Sequence, residues 1–117
     1  MLRCLMAFGV AVSFAGAASA QSAPKINEKA LKAAMETKLK DAESARFRGI
    51  TYYPKSDGMW VMCGEVNAKN SMGGYAGFEP FLARAVRDDS KPPRMGYLGV
   101  RVGDVAGVMC DEKAAGG

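Results

Sequence analysis

Hydrophobic residues change their spacing along the chain, and each spacing predicts a different kind of segment. The first 20 residues are almost wholly apolar, with one charge at Arg3 and small residues at positions 18–20. This pattern is typical of a secretory signal peptide, with cleavage predicted after Ala20. The apolar stretch is shorter than the roughly 20 residues that span a bilayer, which makes a membrane anchor the less favoured alternative.

Residues 21–26 predict a flexible lead-in, and helical spacing of apolar residues follows it. Leu31, Met35 and Leu39 recur at intervals of four, with lysines and glutamates between them. Asn27 is a suitable N-cap, so the spacing predicts an amphipathic helix over residues 27–40. Its apolar stripe is interpreted as a packing face, because a helix lying on a membrane surface would have larger apolar side chains.

Beyond the helix, alternating and continuous apolar runs indicate β-strands separated by turns. Four such runs predict strands over residues 46–53, 59–66, 75–86 and 97–102. The first two flank the turn sequence PKSDG, so we expect them to form a hairpin. Pro80 indicates a bulge or an edge position in the third strand. The short apolar run over residues 105–110 predicts a fifth strand, and residues 113–117 predict a disordered tail.

One helix followed by several strands predicts a single α+β domain over residues 27–112. We expect an N-terminal amphipathic helix packed on a four- to five-stranded antiparallel sheet. Removal of the first 20 of the 117 residues leaves a chain of 97. A domain of that size has a small core, so a covalent link would add substantially to its stability.

Two cysteines remain once the predicted signal peptide is removed, Cys63 and Cys110. Cysteines in a small exported chain most often pair, so a disulfide is predicted between them. It would close a loop of 47 residues, which the chain-entropy model values at about 4 kcal/mol. Their spacing is not that of a metal site and the chain has no histidine. No metal and no other cofactor is therefore expected.

The positive charge of the chain is modest, at +4, and is spread along the sequence. A nucleic-acid-binding protein would concentrate basic residues in one patch, so nucleic acid is not an expected partner. Stable membrane insertion after signal cleavage is not expected either. One group of basic residues near the third and fourth strands either forms a face for anionic polymers or head groups, or only solvates the surface: Arg84, Arg87, Lys91, Arg94 and Arg101.

Groups able to catalyse a reaction are scarce in this sequence. There is no histidine, and the predicted disulfide removes the free thiols. Carboxylates remain, and a hydrolase that uses Glu65 with a second acid facing the same cleft is the least favoured alternative. The adjacent Asp88 and Asp89 are typical of a solvated turn. The protein is therefore not expected to be an enzyme.

Polar and aromatic side chains are densest in the sequence CGEVNAKNSMGGYAGFEPF, residues 63–81. A glycine-rich loop with polar groups between aromatics is suited to a peptide, a glycan or a partner's loop. In the alternative interpretation, asparagine and glycine only build a tight turn and the aromatics pack in the core. The candidate binding loop comprises Glu65, Asn67, Lys69, Asn70, Ser71, Gly73, Gly74 and Tyr75.

Two segments within residues 41–81 carry a resemblance. The sequence DAESARFRGI and the later CGEVNAKNSMGGYAGF resemble a group of small exported bacterial proteins of uncharacterised function. That group carries a DxxSA(K/R)FR segment and a CGEVNxKNSxGGYxGF motif, and Ala42 stands where it usually has proline. The resemblance supplies no activity. It implies that eight residues form one unit: Ser44, Ala45, Phe47, Asn67, Asn70, Gly73, Gly74 and Tyr75.

Export and the scarcity of catalytic groups together predict a class of function. We expect a periplasmic or secreted cell-envelope protein that acts as a non-enzymatic binding or interaction module. Its partner would be an envelope protein or a glycan. The alternative is a proteinaceous inhibitor of an envelope hydrolase, such as a lytic peptidoglycan enzyme, because small disulfide-linked exported domains often have that role.

Overall fold

Four antiparallel strands and two helices make up the part of the chain that the computed structural model describes, residues 24–116. The elements follow in the order α1 (Glu28–Ala34), β1 (Asp41–Ser56), β2 (Met59–Lys69), β3 (Glu79–Arg87), β4 (Met95–Val102) and α2 (Asp104–Ala114). The strands lie in the sheet in the order β1-β2-β3-β4. The fold is α+β, and the predicted signal peptide falls outside the described residues.

The sheet packs on both faces, because successive side chains of a strand point to opposite sides. On one face, Leu31 of α1 and Met35, the residue that follows this helix, join a core of large, fully buried side chains that also contains Trp60, Met62, Val66 and Phe81. The neighbouring residues Cys63 and Leu82 point the other way and pack with Ala106 of α2. The two helices therefore cover opposite faces of the sheet.

Helix α1 is half as long as the pattern over residues 27–40 predicts. The side chain of Asn27 caps its start by accepting a hydrogen bond from the N–H of Ala30 at 3.1 Å. After Ala34 the chain turns, and the carbonyl of Met35 accepts from the N–H groups of Lys38 and Leu39, both at 2.9 Å. Met35 is fully buried. This anchored turn brings the chain back to the sheet for the start of β1.

Strand β1 begins five residues earlier than its alternation predicts. Asp41 pairs with Lys69, but the next pair joins Arg46 to Asn67, so the register is interrupted between them. Ala42 and Ala45 lie in this interruption and are buried. The irregular stretch breaks the period of two on which the sequence-based boundary depended.

Strand β3 begins at Glu79, and the prediction that it starts at Tyr75 is wrong. Tyr75 makes only an isolated bridge with Lys69. Gly73 and Gly77 have φ angles of +80° and +108°, which side chains other than glycine rarely adopt. These glycines hold residues 70–78 out of the regular ladder, so the segment is a loop.

The predicted fifth strand is wrong, because residues 105–110 belong to helix α2. Ala106, Met109 and Cys110 follow helical spacing and pack against the sheet, whereas Val105 and Val108 are about 60% exposed. The Cys63–Cys110 disulfide is confirmed, with a Cα–Cα distance of 5.9 Å. It joins β2 to a helix and not to a strand. Neither described helix is long and apolar enough to cross a membrane.

Trp60, the single tryptophan of the sequence, lies in the core on the α1 side of the sheet. Its side chain is 1% exposed. The guanidinium carbon of Arg87 lies 5.1 Å from its ring centroid, within the range of a cation–π interaction. This contact closes the end of the core nearest the β1–β2 turn.

Candidate functional site

Ser44 connects the interrupted start of β1 to the end of β2. Its hydroxyl donates to the carbonyl of Asp41 at 2.7 Å, and its N–H donates to the Asp41 carboxylate at 3.3 Å. The N–H of Lys69 in turn donates to the Ser44 hydroxyl at 2.8 Å. A side chain thus replaces the main-chain acceptor that the interruption removes. The exit from β2 is fixed where the next loop begins.

Asn70 builds the turn that follows. Its N–H donates to the carbonyl of Gly74 at 2.8 Å, and its carbonyl accepts from the N–H of Gly73 at 3.0 Å. Its side-chain oxygen accepts from the N–H groups of Met72 at 2.9 Å and Gly74 at 3.2 Å. The main chain and the side chain of Asn70 therefore both hold residues 70–74 in one conformation.

Two further side chains hold the rest of the loop against the sheet. The side-chain oxygen of Asn67 accepts a hydrogen bond from the N–H of Gly77 at 3.1 Å. The Tyr75 hydroxyl donates to the carbonyl of Ser44 at 3.0 Å. We call residues 67–78 the 67–78 loop. Its ends and its middle are all hydrogen-bonded to neighbouring strands or to the loop itself.

Cations of β1 and β2 stack on the aromatic rings of this loop. The guanidinium carbon of Arg46 lies 4.3 Å from the centroid of Tyr75, and the Lys69 ammonium lies 5.9 Å from the same ring. Arg48 lies 3.8 Å from the centroid of Phe78. Such contacts contribute about 0.5–1 kcal/mol each at exposed positions. They add a positively charged surface beside the loop.

Glu65 faces the same surface and forms an ion pair with Arg48. The two atoms, Arg48 Nε and Glu65 Oε1, are 3.2 Å apart, and both side chains are about half exposed. A pair this exposed contributes little stability, because water screens it. Its effect is to orient Arg48 over Phe78. Glu79 pairs with Val66 and so lies on the opposite sheet face, which gives no support to a hydrolase using these two acids.

The tip of the loop is exposed. Met72 is 91% exposed and Tyr75 is 37% exposed. Ser71 is also exposed and makes none of the hydrogen bonds that fix the loop. An apolar side chain thus projects from a backbone that is itself held in place.

The structure brings most of the candidate binding residues together, but several of them have a different task from the predicted one. The side-chain oxygens of Asn67 and Asn70 accept main-chain hydrogen bonds and so build the loop. Sequence reasoning missed Arg46, Arg48 and Phe78 as members of this surface. Arg46 and Arg48 are two residues apart on β1, opposite Asn67 and Glu65. Residues at this spacing share one face of a strand, and this pattern in the sequence could have indicated that both arginines face the loop.

The five basic residues considered as one patch lie in separate places. Arg84 and Arg101 line one open cavity of about 790 Å³. Arg87 and Arg94 line another, of about 710 Å³, beside the first described residues. Lys91 lines neither of these cavities. Because strands β3 and β4 alternate their side chains between two faces, the five charges do not share one.

Asp88 stabilises the turn between β3 and β4. Its carboxylate accepts hydrogen bonds from the Ser90 hydroxyl, from the N–H of Ser90 at 3.1 Å and from the N–H of Arg94 at 2.7 Å. The bond from the Ser90 side chain and then that from Arg94 hold the pKa of Asp88 below its ordinary value. This carboxylate is therefore ionised at neutral pH and has a role in the turn.

The described residues offer a shaped surface and few reactive groups. Within residues 24–116, no three His, Cys, Asp or Glu side chains are placed to hold a metal ion. The 67–78 loop combines an exposed tip with cations that stack on its aromatic rings. No family model, curated protein or solved structure matches this chain, so the resemblance of residues 41–81 to exported bacterial proteins stays a prediction.

Proposed function

We propose that this chain is an exported, non-enzymatic interaction module of the cell envelope that binds a protein partner through the 67–78 loop. The observation that carries the proposal is the contrast between a backbone fixed by Asn67, Asn70 and Tyr75 and an apolar tip, Met72, that is 91% exposed. An apolar side chain held in water costs free energy unless something covers it.

The disulfide supports export. Structural disulfides form and persist in oxidising compartments such as the periplasm and the extracellular space. Cys63 and Cys110 are bonded to each other. The apolar segment at residues 1–20, with small residues before Gln21, has the pattern of a cleavable signal peptide.

A fixed loop is favourable for binding because little conformational freedom is lost when the complex forms. Ordering a flexible side chain or loop costs about 0.5–1.5 kcal/mol for each immobilised side chain. In the 67–78 loop, hydrogen bonds from Asn70 and Asn67 already hold the main chain. The free energy gained when a partner covers Met72 would then not be offset by the cost of ordering the loop.

A protein partner fits this surface better than a glycan does. Sugars bind proteins largely by stacking on exposed aromatic rings, but Arg46 already covers Tyr75 and Arg48 covers Phe78. The features that remain exposed to a partner are the apolar tip and the positive charges of Arg46 and Lys69 beside it. These match an apolar pocket with acidic groups at its rim.

Site-specific crosslinking in intact cells tests the proposal. A photoreactive amino acid placed at position 72 should give a discrete crosslinked product with one envelope protein. The same group at position 57, in the exposed turn after β1, is the matched control and should not give that product. Excess unlabelled protein should suppress the product by competition.

The competitor variants make the test specific for the loop. Met72→Asp should fail to compete, because a charge replaces the apolar tip. Asn70→Ala keeps Met72 but removes the two hydrogen bonds that the Asn70 side chain accepts from the N–H groups of Met72 and Gly74, and it should compete severalfold less well. Asp57→Asn should compete like the unchanged protein. Equal competition by Met72→Asp, or identical products from positions 57 and 72, would rule out the loop as the binding site.

Inhibition of an envelope hydrolase is the second candidate, and the exposed tip favours it. Many inhibitors insert a preorganised loop into the cleft of an enzyme, and protease inhibitors are a well-studied example. Purified lytic peptidoglycan enzymes mixed with equimolar protein should lose activity in that case, and Met72→Asp should restore it. Full activity at a large molar excess of the protein would exclude those enzymes as targets.

A further inference from the structure

An open cavity of about 790 Å³ lies along β4, at the edge of the sheet. Five consecutive residues of this strand, 97–101, line it. The turn that follows α1 forms one wall through Thr37 and Lys38, and the end of α2 forms the other through Met109 and Lys113. We call this feature the β4-edge groove. It is separate from the 67–78 loop, none of whose residues line it.

The main chain of β4 has unpaired groups on its outer side. In the sheet of the described residues, β4 pairs only with β3. Hydrogen bonds from Asp88 N to Arg94 O and from Gly103 N to Pro80 O, both 2.9 Å, mark hydrogen-bonded pairs at the two ends of this ladder. Such pairs alternate with pairs whose groups point outward, and because the register shifts between Leu82 and Arg84 the alternation is counted separately from each end of the ladder. Tyr97 and Val102 belong to the outward-pointing set.

Positive charge surrounds the groove. Five cationic side chains line it, against the single acid Glu112: Lys38, Lys55, Arg84, Arg101 and Lys113. Within residues 24–116, none of the five forms an ion pair; the ion pair found there joins Arg48 to Glu65. Unpaired charges of one sign around a concave surface focus the potential and favour an anionic ligand.

Apolar side chains line the groove between these charges. Val61, Leu82 and Met109 lie on the α2 side of the sheet, and Leu98 of β4 is 57% exposed beside them. A peptide in extended conformation points alternate side chains to one face. Arg84 and Arg101 lie on this same face, because Arg84 pairs with Val61 and Leu98, and Arg101 pairs with Leu82. The groove thus offers apolar contact and positive charge together to the side chains of an added strand that point toward α2.

From these observations we infer that the β4-edge groove binds an extended acidic segment of another protein by adding it as a fifth strand. Main-chain hydrogen bonds to β4 supply affinity in this mode, and the groove supplies specificity. A second copy of this chain is a poor occupant, because two such edges would bring the same five positive charges together.

A titration followed by nuclear magnetic resonance tests this inference. The probe is the synthetic hexapeptide Glu-Glu-Val-Val-Glu-Glu, which in extended conformation presents both glutamate and valine on each face. It is added to the isotope-labelled, oxidised protein up to millimolar concentration. Amide signals of residues 97–102 should shift in a saturable way, whereas those of residues 70–75 should not. The same peptide with N-methylated main-chain nitrogens cannot donate hydrogen bonds, and it should lose the effect.

Charge variants provide the matched comparison. Arg84→Glu with Arg101→Glu reverses two exposed charges in the groove, and it should raise the Kd of the hexapeptide roughly tenfold or more. Lys29→Glu with Lys40→Glu makes the same change in net charge at exposed positions outside the groove. That control should leave the Kd near its original value. Added salt should weaken binding to the unchanged protein.

The remaining outcomes each contradict the inference. Absence of shifts in residues 97–102 at millimolar hexapeptide would overturn it, and so would equal binding of the N-methylated peptide. Polygalacturonate or phosphatidylglycerol vesicles that shift these amides while the hexapeptide does not would assign the groove to an anionic glycan or a lipid surface. A loss of affinity as large in the Lys29 and Lys40 control would show that only net charge matters.

Discussion

Gly64 is the residue at which β2 approaches its neighbours most closely. A β-carbon at this position would lie 2.7 Å from Ile50 Cδ1, 2.9 Å from Phe81 Cε1 and 3.2 Å from the carbonyl oxygen of Arg48. Phe81 is fully buried, so its ring has no free space to move into. Glycine in the middle of this strand is required by packing, and not by an unusual backbone angle.

Gly64→Ala is therefore expected to lower the free energy of unfolding by about 1–3 kcal/mol, the usual cost of overpacking a core. Urea denaturation followed by far-ultraviolet circular dichroism would measure it. Gly74→Ala is the matched control, since a β-carbon there meets no atom within 4 Å. Equal stability of the Gly64→Ala variant and the unchanged protein would show that β2 relaxes more easily than this packing implies.

At the scale of elements, α2 shows where a short apolar run is ambiguous. Residues 105–110 taken alone satisfy the requirements of a buried strand. Residues 111–114 include good helix formers, and with them Ala106, Met109 and Cys110 fall on one helical face. The length of the segment decides between the two assignments. A prediction that assigns residues 113–117 to a disordered tail leaves a segment too short to indicate a helix, whereas α2 extends to Ala114.

Helix α2 packs on the sheet mainly against β3. Ala106 is fully buried, and Gly107 lies so close to Pro80 that a β-carbon there would be 3.1 Å from its Cγ. Val105 and Val108 on its outer face are exposed. The disulfide from Cys110 to Cys63 therefore supplies much of the connection between this helix and β2.

Replacing both cysteines by alanine should lower the free energy of unfolding by about 2–4 kcal/mol, because the unfolded chain regains the freedom of the closed loop. Hydrogen exchange should accelerate most in α2 and much less in α1, which packs on the other face. Reducing agent should destabilise the unchanged protein but not the double variant. Equal acceleration of exchange in both helices would contradict a local role for the disulfide.

For the whole molecule, what the sequence could predict depended on how far apart the contributing residues lie. The β1–β2 hairpin follows from local patterns, and the Cys63–Cys110 pair follows from the compartment that the predicted signal peptide implies. Both are present in the structure. The β4-edge groove combines residues of α1, all four strands and α2, so no local pattern contains it. The 67–78 loop was located by its composition, but its dependence on Ser44 required the interrupted register of β1, which periodicity does not reveal.

Two tyrosines link the edge strands beneath α1. Tyr52 lies on β1 and Tyr97 on β4, and the Tyr97 hydroxyl accepts a hydrogen bond from the N–H of Asn27 at 3.0 Å. Burial, with a further contribution from the neighbouring Tyr97, raises the pKa of Tyr52 well above its ordinary value of 10.0. The folded protein therefore keeps this proton when the unfolded chain has lost it.

Stability should consequently fall as the pH rises above about 10, since the unfolded chain then binds fewer protons than the folded protein does. Below that pH the contribution of Tyr52 is fully present. Tyr52→Phe should reduce the dependence of the urea midpoint on pH between pH 9 and 12. Tyr53→Phe, on the opposite face, controls for the loss of a hydroxyl group. An unchanged pH dependence in Tyr52→Phe would contradict this assignment.

The position of Trp60 has a practical consequence for detecting partners. The chain has no other tryptophan, and this one is buried under α1, outside both the 67–78 loop and the residues that line the β4-edge groove. Its intrinsic fluorescence will report whether the protein is folded. Binding at either surface will leave that emission almost unchanged, so an unchanged tryptophan signal in a titration does not exclude binding of a partner. A dye attached near position 72 or position 98 will report binding instead.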